Sequence, residues 1–157
     1  MTTRAFKFLK PVEPDILRQV IARQFGVREV EVCVYEDARD TDAPDGRLWQ
    51  AFDVSKIRIF LAQFDPEAPA TPGWFAIETA SAKDNAFDDR PVARAAAAAL
   101  GQRIIFRDPV PDPHDSPYVE AAQIGIDPSG QEEALWIVEY ADDDGRDVTR
   151  ILRRADL

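Results

Sequence analysis

The order of apolar patterns along the chain constrains its fold more than any other feature. Only two segments have the spacing or composition of a helix, and strand-like patterns lie before, between and after them. Strands and helices do not alternate strictly, which argues against a doubly wound parallel sheet. The order therefore predicts an α+β fold, with one mixed or mainly antiparallel sheet, two helices packed on it and a C-terminal β-meander.

Both predicted helices have recognisable ends. The first covers 13–26, where apolar residues recur on one face, Pro14 suits the first turn and Gly26 suits the stop. The second covers 90–100, which is rich in alanine and is followed by Gly101. Small side chains of this kind allow a helix to lie close against a sheet.

Short apolar or alternating runs predict seven strands. They cover 30–34, 57–64, 74–80, 102–107, 118–126, 132–140 and 147–153. Two turn sequences, at 127–130 and 142–145, separate the last three runs and predict the meander. No segment divides the chain, so we expect a single domain over 1–157.

The charge of the chain narrows the class of partner. It has 29 acidic and 19 basic residues, a formal net charge of −10. Binding to nucleic acid or to an anionic membrane depends on Lys and Arg, so both are poor partners for this chain. We expect instead a protein partner with a cationic surface.

Patterns typical of membrane spans and signal peptides bear on the location of the protein in the cell. No stretch approaches the roughly 20 apolar residues that span a bilayer, and the N-terminal segment has no apolar core of the kind found in signal peptides. The expected location is the cytoplasm. Cys33, inside an apolar strand pattern, is expected to be a small buried residue.

Patterns that would indicate catalysis are weak. His114 stands beside Asp115 and Ser116, which invites a hydrolase hypothesis, but the loop is rich in proline and no Gly-x-Ser-x-Gly elbow occurs. An exposed, non-catalytic His114 is favoured. We therefore expect a non-enzyme with no catalytic residue. A small hydrolase that uses surface carboxylates and a regulatory or adaptor interaction domain stay open as alternatives.

Cofactor and metal patterns are weak as well. One His and one Cys lack the spacing of a zinc site. If Gly145 occupied the sixth position of an EF-hand, Tyr140 and Ile151 would stand where carboxylates are required. No glycine-rich phosphate loop occurs. We expect no cofactor-binding residue and no metal ligand.

The segment 36–47 is the predicted partner surface, with five acids and two arginines. Acidic charge steers association with a cationic protein, and an aromatic side chain can anchor the interface. Trp49 follows the segment, whereas Trp74 and Trp136 lie in strand patterns and are predicted to be core. The predicted partner-binding residues are Asp37, Asp40, Asp42, Asp45 and Trp49. The acidic turn 142–144 and the proline-rich loop 108–117 are the next candidates.

Several short motifs carry a resemblance to a known group of proteins. They are the helix and strand over 92–108, Ser116-Pro117-Tyr118, and Asp-Pro-Ser-Gly at 127–130. About a quarter of the chain thus resembles small cytoplasmic immunity proteins of bacterial toxin–immunity pairs. Ser116 stands where that pattern prefers Asn, and no functional residue is carried over. The resemblance implies a protein that neutralises a co-produced toxin by binding it.

Overall fold

The computed structural model of the chain describes residues 4–35, 56–66, 71–80, 87–109 and 122–156. Its strands are β1 (Arg4–Phe8), β2 (Val32–Tyr35), β3 (Ile59–Phe64), β4 (Gly73–Thr79), β5 (Ile104–Arg107), β6 (Ala122–Ile126), β7 (Glu132–Ala141) and β8 (Asp147–Arg153). Its helices are α1 (Pro14–Phe25) and α2 (Asp89–Leu100).

The eight strands form one sheet in the order β2-β3-β4-β1-β5-β6-β7-β8. Within the described residues, β2 and β3 are parallel and every other neighbouring pair is antiparallel. The last four strands follow one another in both sequence and space, as in a meander. The predicted α+β fold is confirmed.

Both helices begin and end close to where the sequence predicts. Gly26 and Gly101 have left-handed backbone angles, with φ of 64° and 67°, and each donates its amide back to the last turn. At the start of α2, the Asp88 carboxylate accepts a hydrogen bond of 3.0 Å from the amide of Arg90. This contact satisfies an amide that has no partner inside the helix.

The core lies between the two helices and one face of the sheet, which we call the helix face. Phenylalanines of the central strands fill it: the rings of Phe6 and Phe75 stack at 4.9 Å between centroids, and Phe8 and Phe106 pack beside them. Buried alanines of α2 bring its backbone close to these rings. Full burial of such a ring is worth about 2–3 kcal/mol.

Two sequence predictions need correction. Sequence analysis missed strand β1, which lies at the centre of the sheet between β4 and β5. Val30, predicted to be in a strand, lies in a 3-10 turn over Glu29–Glu31 and is 72% exposed. The turn forms because the Glu31 carboxylate accepts a hydrogen bond of 2.7 Å from the amide of Arg28.

Candidate protein-binding surface

The hairpin of β7 and β8 extends beyond the part of the sheet that the helices cover. Strand β7 has 10 residues, whereas the described part of its neighbour β6 has 5. The described pairing with β6 ends at Trp136, and residues from Ile137 onward pair with β8. Helix α2 packs on β5 and β6. Among the described residues, the far half of the hairpin therefore lies beyond β6 and beyond the helix layer.

Apolar side chains are exposed on this projecting half. Val138 and Tyr140 are 38% and 43% exposed, and strand alternation places both on the helix face. Across the hairpin, Tyr140 is paired with the half-buried Val148, and Val138 is paired with Arg150. Large exposed apolar groups next to one another are typical of interaction sites.

The turn at the tip of the hairpin adds negative charge in a fixed conformation. The Asp142 carboxylate accepts hydrogen bonds from the amides of Asp144 (3.0 Å) and Arg146 (2.8 Å). Asp143 and Asp144 are exposed. We call Val138, Tyr140, Val148 and the turn Asp142–Asp144 the hairpin surface. The segment 139–150 has five acids and two arginines, hence a net charge of −3.

The base of the hairpin is held by a half-buried arginine. One Nη of Arg154 donates to the Asp108 carboxylate (2.7 Å) and to the carbonyl oxygen of Gln123 (2.8 Å). Its guanidinium lies 5.4 Å from the centre of the Trp136 ring, in the geometry of a cation–π contact. Trp136, predicted to be core, is thus half-buried under Arg154. These contacts join β5, β6 and β7 where the hairpin leaves the body of the sheet.

A second cluster of charges lies on the opposite face of the sheet, which we call the second face. The Glu133 carboxylate bonds to Arg153 (2.6 Å) and Arg103 (3.5 Å), beside a depression of about 310 Å³. Gly125 leaves room for this arrangement, since a Cβ there would approach Leu135 and Arg103 to within 2.9 Å. Because the carboxylate and the two arginines pair with one another, the cluster is best explained as a contribution to the stability of the fold.

The turn between β6 and β7 contains another carboxylate with local partners. Asp127 accepts hydrogen bonds from the hydroxyl (2.6 Å) and the amide (2.9 Å) of Ser129, and from the amide of Gln131 (3.0 Å). The Ser129 side chain first, and then the backbone amides, hold the pKa of Asp127 below its usual value. These bonds close the turn, which is where the sequence predicts one.

The predicted partner-binding residues lie outside the described residues; they are Asp37, Asp40, Asp42, Asp45 and Trp49. His114, predicted to be exposed and non-catalytic, lies outside them as well. Cys33 is buried in β2, as predicted. Trp74, predicted to be core, is half-buried and stacks on Phe64 at 4.1 Å between centroids.

Two searches of the described residues found nothing. No group of three or more His, Cys, Asp or Glu side chains there could hold a metal ion. None of the described helices is long and apolar enough to cross a membrane.

Sequence reasoning did not identify Val138 and Tyr140 as exposed apolar residues. The strand pattern over 132–140 alternates, but alternation alone does not show where a neighbouring helix ends. The acidic turn beside them was named as a secondary candidate, and the structure places the two exposed apolar residues next to it.

Comparisons with known proteins do not assign the chain to a family. No protein-family model, curated protein or solved structure matched it. The resemblance to immunity proteins stays a prediction, and the functional argument depends on the surfaces described above.

Proposed function

We propose that this protein is an immunity protein that binds a cognate bacterial toxin through a cationic surface of the toxin, and so neutralises it. The hairpin surface is the observation that carries the proposal. It combines exposed apolar anchors with a fixed acidic turn, on a protein whose net charge is −10. An apolar centre with a charged rim is typical of protein interfaces.

The hairpin surface has the same chemistry that sequence analysis assigns to 36–47. The segments 139–150 and 36–47 each have five acids and two arginines; Tyr140 lies within the first and Trp49 follows the second. In both, the charge would steer the encounter with a cationic partner, and the aromatic ring would supply the desolvated contact. The two segments are therefore alternative candidates for the acidic interface, since β2, which precedes 36–47, and the hairpin lie at opposite edges of the sheet.

Two kinds of substitution separate these contributions. Asp143→Lys with Asp144→Lys should slow association at low salt and change dissociation little, because steering acts on the encounter. Tyr140→Ala should speed dissociation at any salt, with a loss of about 2 kcal/mol. The matched control is Glu13→Lys with Glu29→Lys, which makes the same change in charge at exposed sites on other elements. It should lower the association rate less than the hairpin variant.

The direct test uses the reading frame adjacent to the gene for this chain. We expect its product to contain a toxic C-terminal domain, co-expression of this protein to restore growth, and the two purified proteins to bind. Binding without restored growth would replace neutralisation by the adaptor alternative. A toxic neighbour that does not bind would overturn the proposal, and unchanged kinetics in both hairpin variants would remove the hairpin surface from it.

A further inference from the structure

In the part of the chain that the structure describes, the second face of the sheet carries two cations without an ion pair, although the protein has an excess of acids. Most described arginines lie within 4.0 Å of a carboxylate, including those at 18, 28, 90, 94, 103, 153 and 154. Within the described residues, Lys7 and Arg107 make no such contact. The chain has 29 acidic and 19 basic residues, so a shortage of carboxylates does not explain this.

Lys7 occupies the middle of the sheet, where an unpaired cation is costly. It lies on the central strand β1, directly opposite Trp74 on one side and Ile105 on the other. Ile105 is fully buried. Burial among these groups lowers the pKa of Lys7, and the negative charge of Glu139 opposes this effect in part. A partly desolvated ammonium is therefore held on an apolar face.

Arg107 and an aromatic pair complete the arrangement. The register of β1 with β5 places Arg107 two residues beyond Ile105 on the same face, at the diagonal position to Lys7. Long side chains at diagonal positions of neighbouring strands can reach a common group. On the other side of Lys7, the half-buried ring of Trp74 stacks on Phe64 at 4.1 Å.

We propose that Lys7, Arg107 and Trp74 form a binding site for a small aromatic carboxylate on the second face. The carboxylate would lie between the two cations, and its ring would lie against the Trp74 side of Lys7. The choice of ligand follows from charge complementarity, because neither cation lies within 4.0 Å of a carboxylate of the described residues, and from the flat aromatic group beside them. This site goes beyond toxin binding and does not depend on it.

A set of four matched probes tests the site by titration of the full chain, monitored in ¹H–¹⁵N NMR spectra. Benzoate should shift the indole signal of Trp74 and the amides of β1, β4 and β5 saturably, with Kd of about 1 mM. Benzamide removes the charge and acetate removes the ring, so each should bind about tenfold more weakly. Inorganic phosphate tests whether any oxyanion suffices.

Variants connect the signal to the named residues. Lys7→Met and Arg107→Met should each weaken benzoate binding about tenfold, the usual scale for loss of one charged hydrogen bond. Lys7→Arg should retain binding, which separates loss of charge from loss of folding. The matched control is Arg23→Met, an exposed arginine on α1, which should bind benzoate like the parent protein.

Three results would overturn the site. They are no saturable shift at about 10 mM benzoate, equal binding of benzoate and benzamide, or benzoate binding that persists in both methionine variants. Phosphate that binds as tightly as benzoate would reduce the site to a general anion contact and remove Trp74 from it.

Discussion

The helix-covered centre of the sheet and the projecting hairpin are built from similar strands but have opposite surroundings. In the centre, Phe6 and Phe75 are fully buried under the helices. In the hairpin, Val138 and Tyr140 occupy the same face of the same sheet and are more than a third exposed. The difference teaches that the extent of the helix layer, rather than the strand sequence, separates residues that stabilise the fold from residues available to a partner.

Phe6→Ala should have the largest effect on stability. Loss of a fully buried ring stacked between strands should lower the free energy of unfolding by about 4 kcal/mol. Tyr140→Ala, which removes a ring from the exposed half of the same face, should cost about 0.5 kcal/mol. Urea denaturation measures both. If the alanine variant of Phe6 does not fold, Phe6→Leu should lower the free energy of unfolding by a smaller amount, because it too removes the buried ring. Equal losses of stability in the alanine variants of Phe6 and Tyr140 would contradict the difference between the helix-covered centre and the hairpin.

Arg154→Met should have an intermediate effect, because Arg154 lies at the boundary between the two regions. Its side chain and that of Asp108 are 17% and 11% exposed, so removal of the guanidinium leaves a carboxylate poorly solvated. We expect a loss of about 2 kcal/mol in the free energy of unfolding. The adjacent Arg153 is also ion-paired, but its side chain is 64% exposed. Arg153→Met should therefore cost about 0.5 kcal/mol, and a cost equal to that at Arg154 would refute the role of burial.

Lys7→Met should have the smallest effect, and the sign should be favourable. It removes a desolvated ammonium from the second face and should stabilise the protein by about 0.5 kcal/mol at neutral pH. The folded-state pKa of Lys7 lies below its usual value of 10.5. Between the folded-state pKa of Lys7 and the usual lysine pKa, the unfolded chain binds more protons than the folded protein. The parent protein therefore gains stability as pH rises through that window.

The methionine variant of Lys7 lacks this gain. Its advantage over the parent should therefore shrink as pH approaches the usual lysine pKa. Lys10→Met, at an exposed neighbouring site, is the control for the loss of one positive charge. Thermal unfolding of the three proteins over a range of pH measures the difference. Destabilisation by Lys7→Met at neutral pH would show that the ammonium has a stabilising partner.

The sequence was most informative where local chemistry decides the conformation. Pro14, Gly26, Asp88 and Gly101 mark the helix ends, because proline angles, left-handed glycine and carboxylate caps act within one turn. The turns at 127–130 and 142–145 were predictable for the same reason. Strand β1 was missed because five residues before a strong helix give a weak pattern, and its stability comes from partners distant in sequence.

The sequence by itself determined the class of fold, the positions of the helices and turns, and the acidic character of the chain. Apolar periodicity, capping chemistry and formal charge are local or additive properties, so one sequence is enough to establish them. Only the tertiary structure decided that β1 lies at the centre, that Lys7 and Arg107 share a face, and that Val138 and Tyr140 lie beyond the helices. Strand order, register and helix coverage depend on contacts between residues far apart in the chain, which no local pattern specifies.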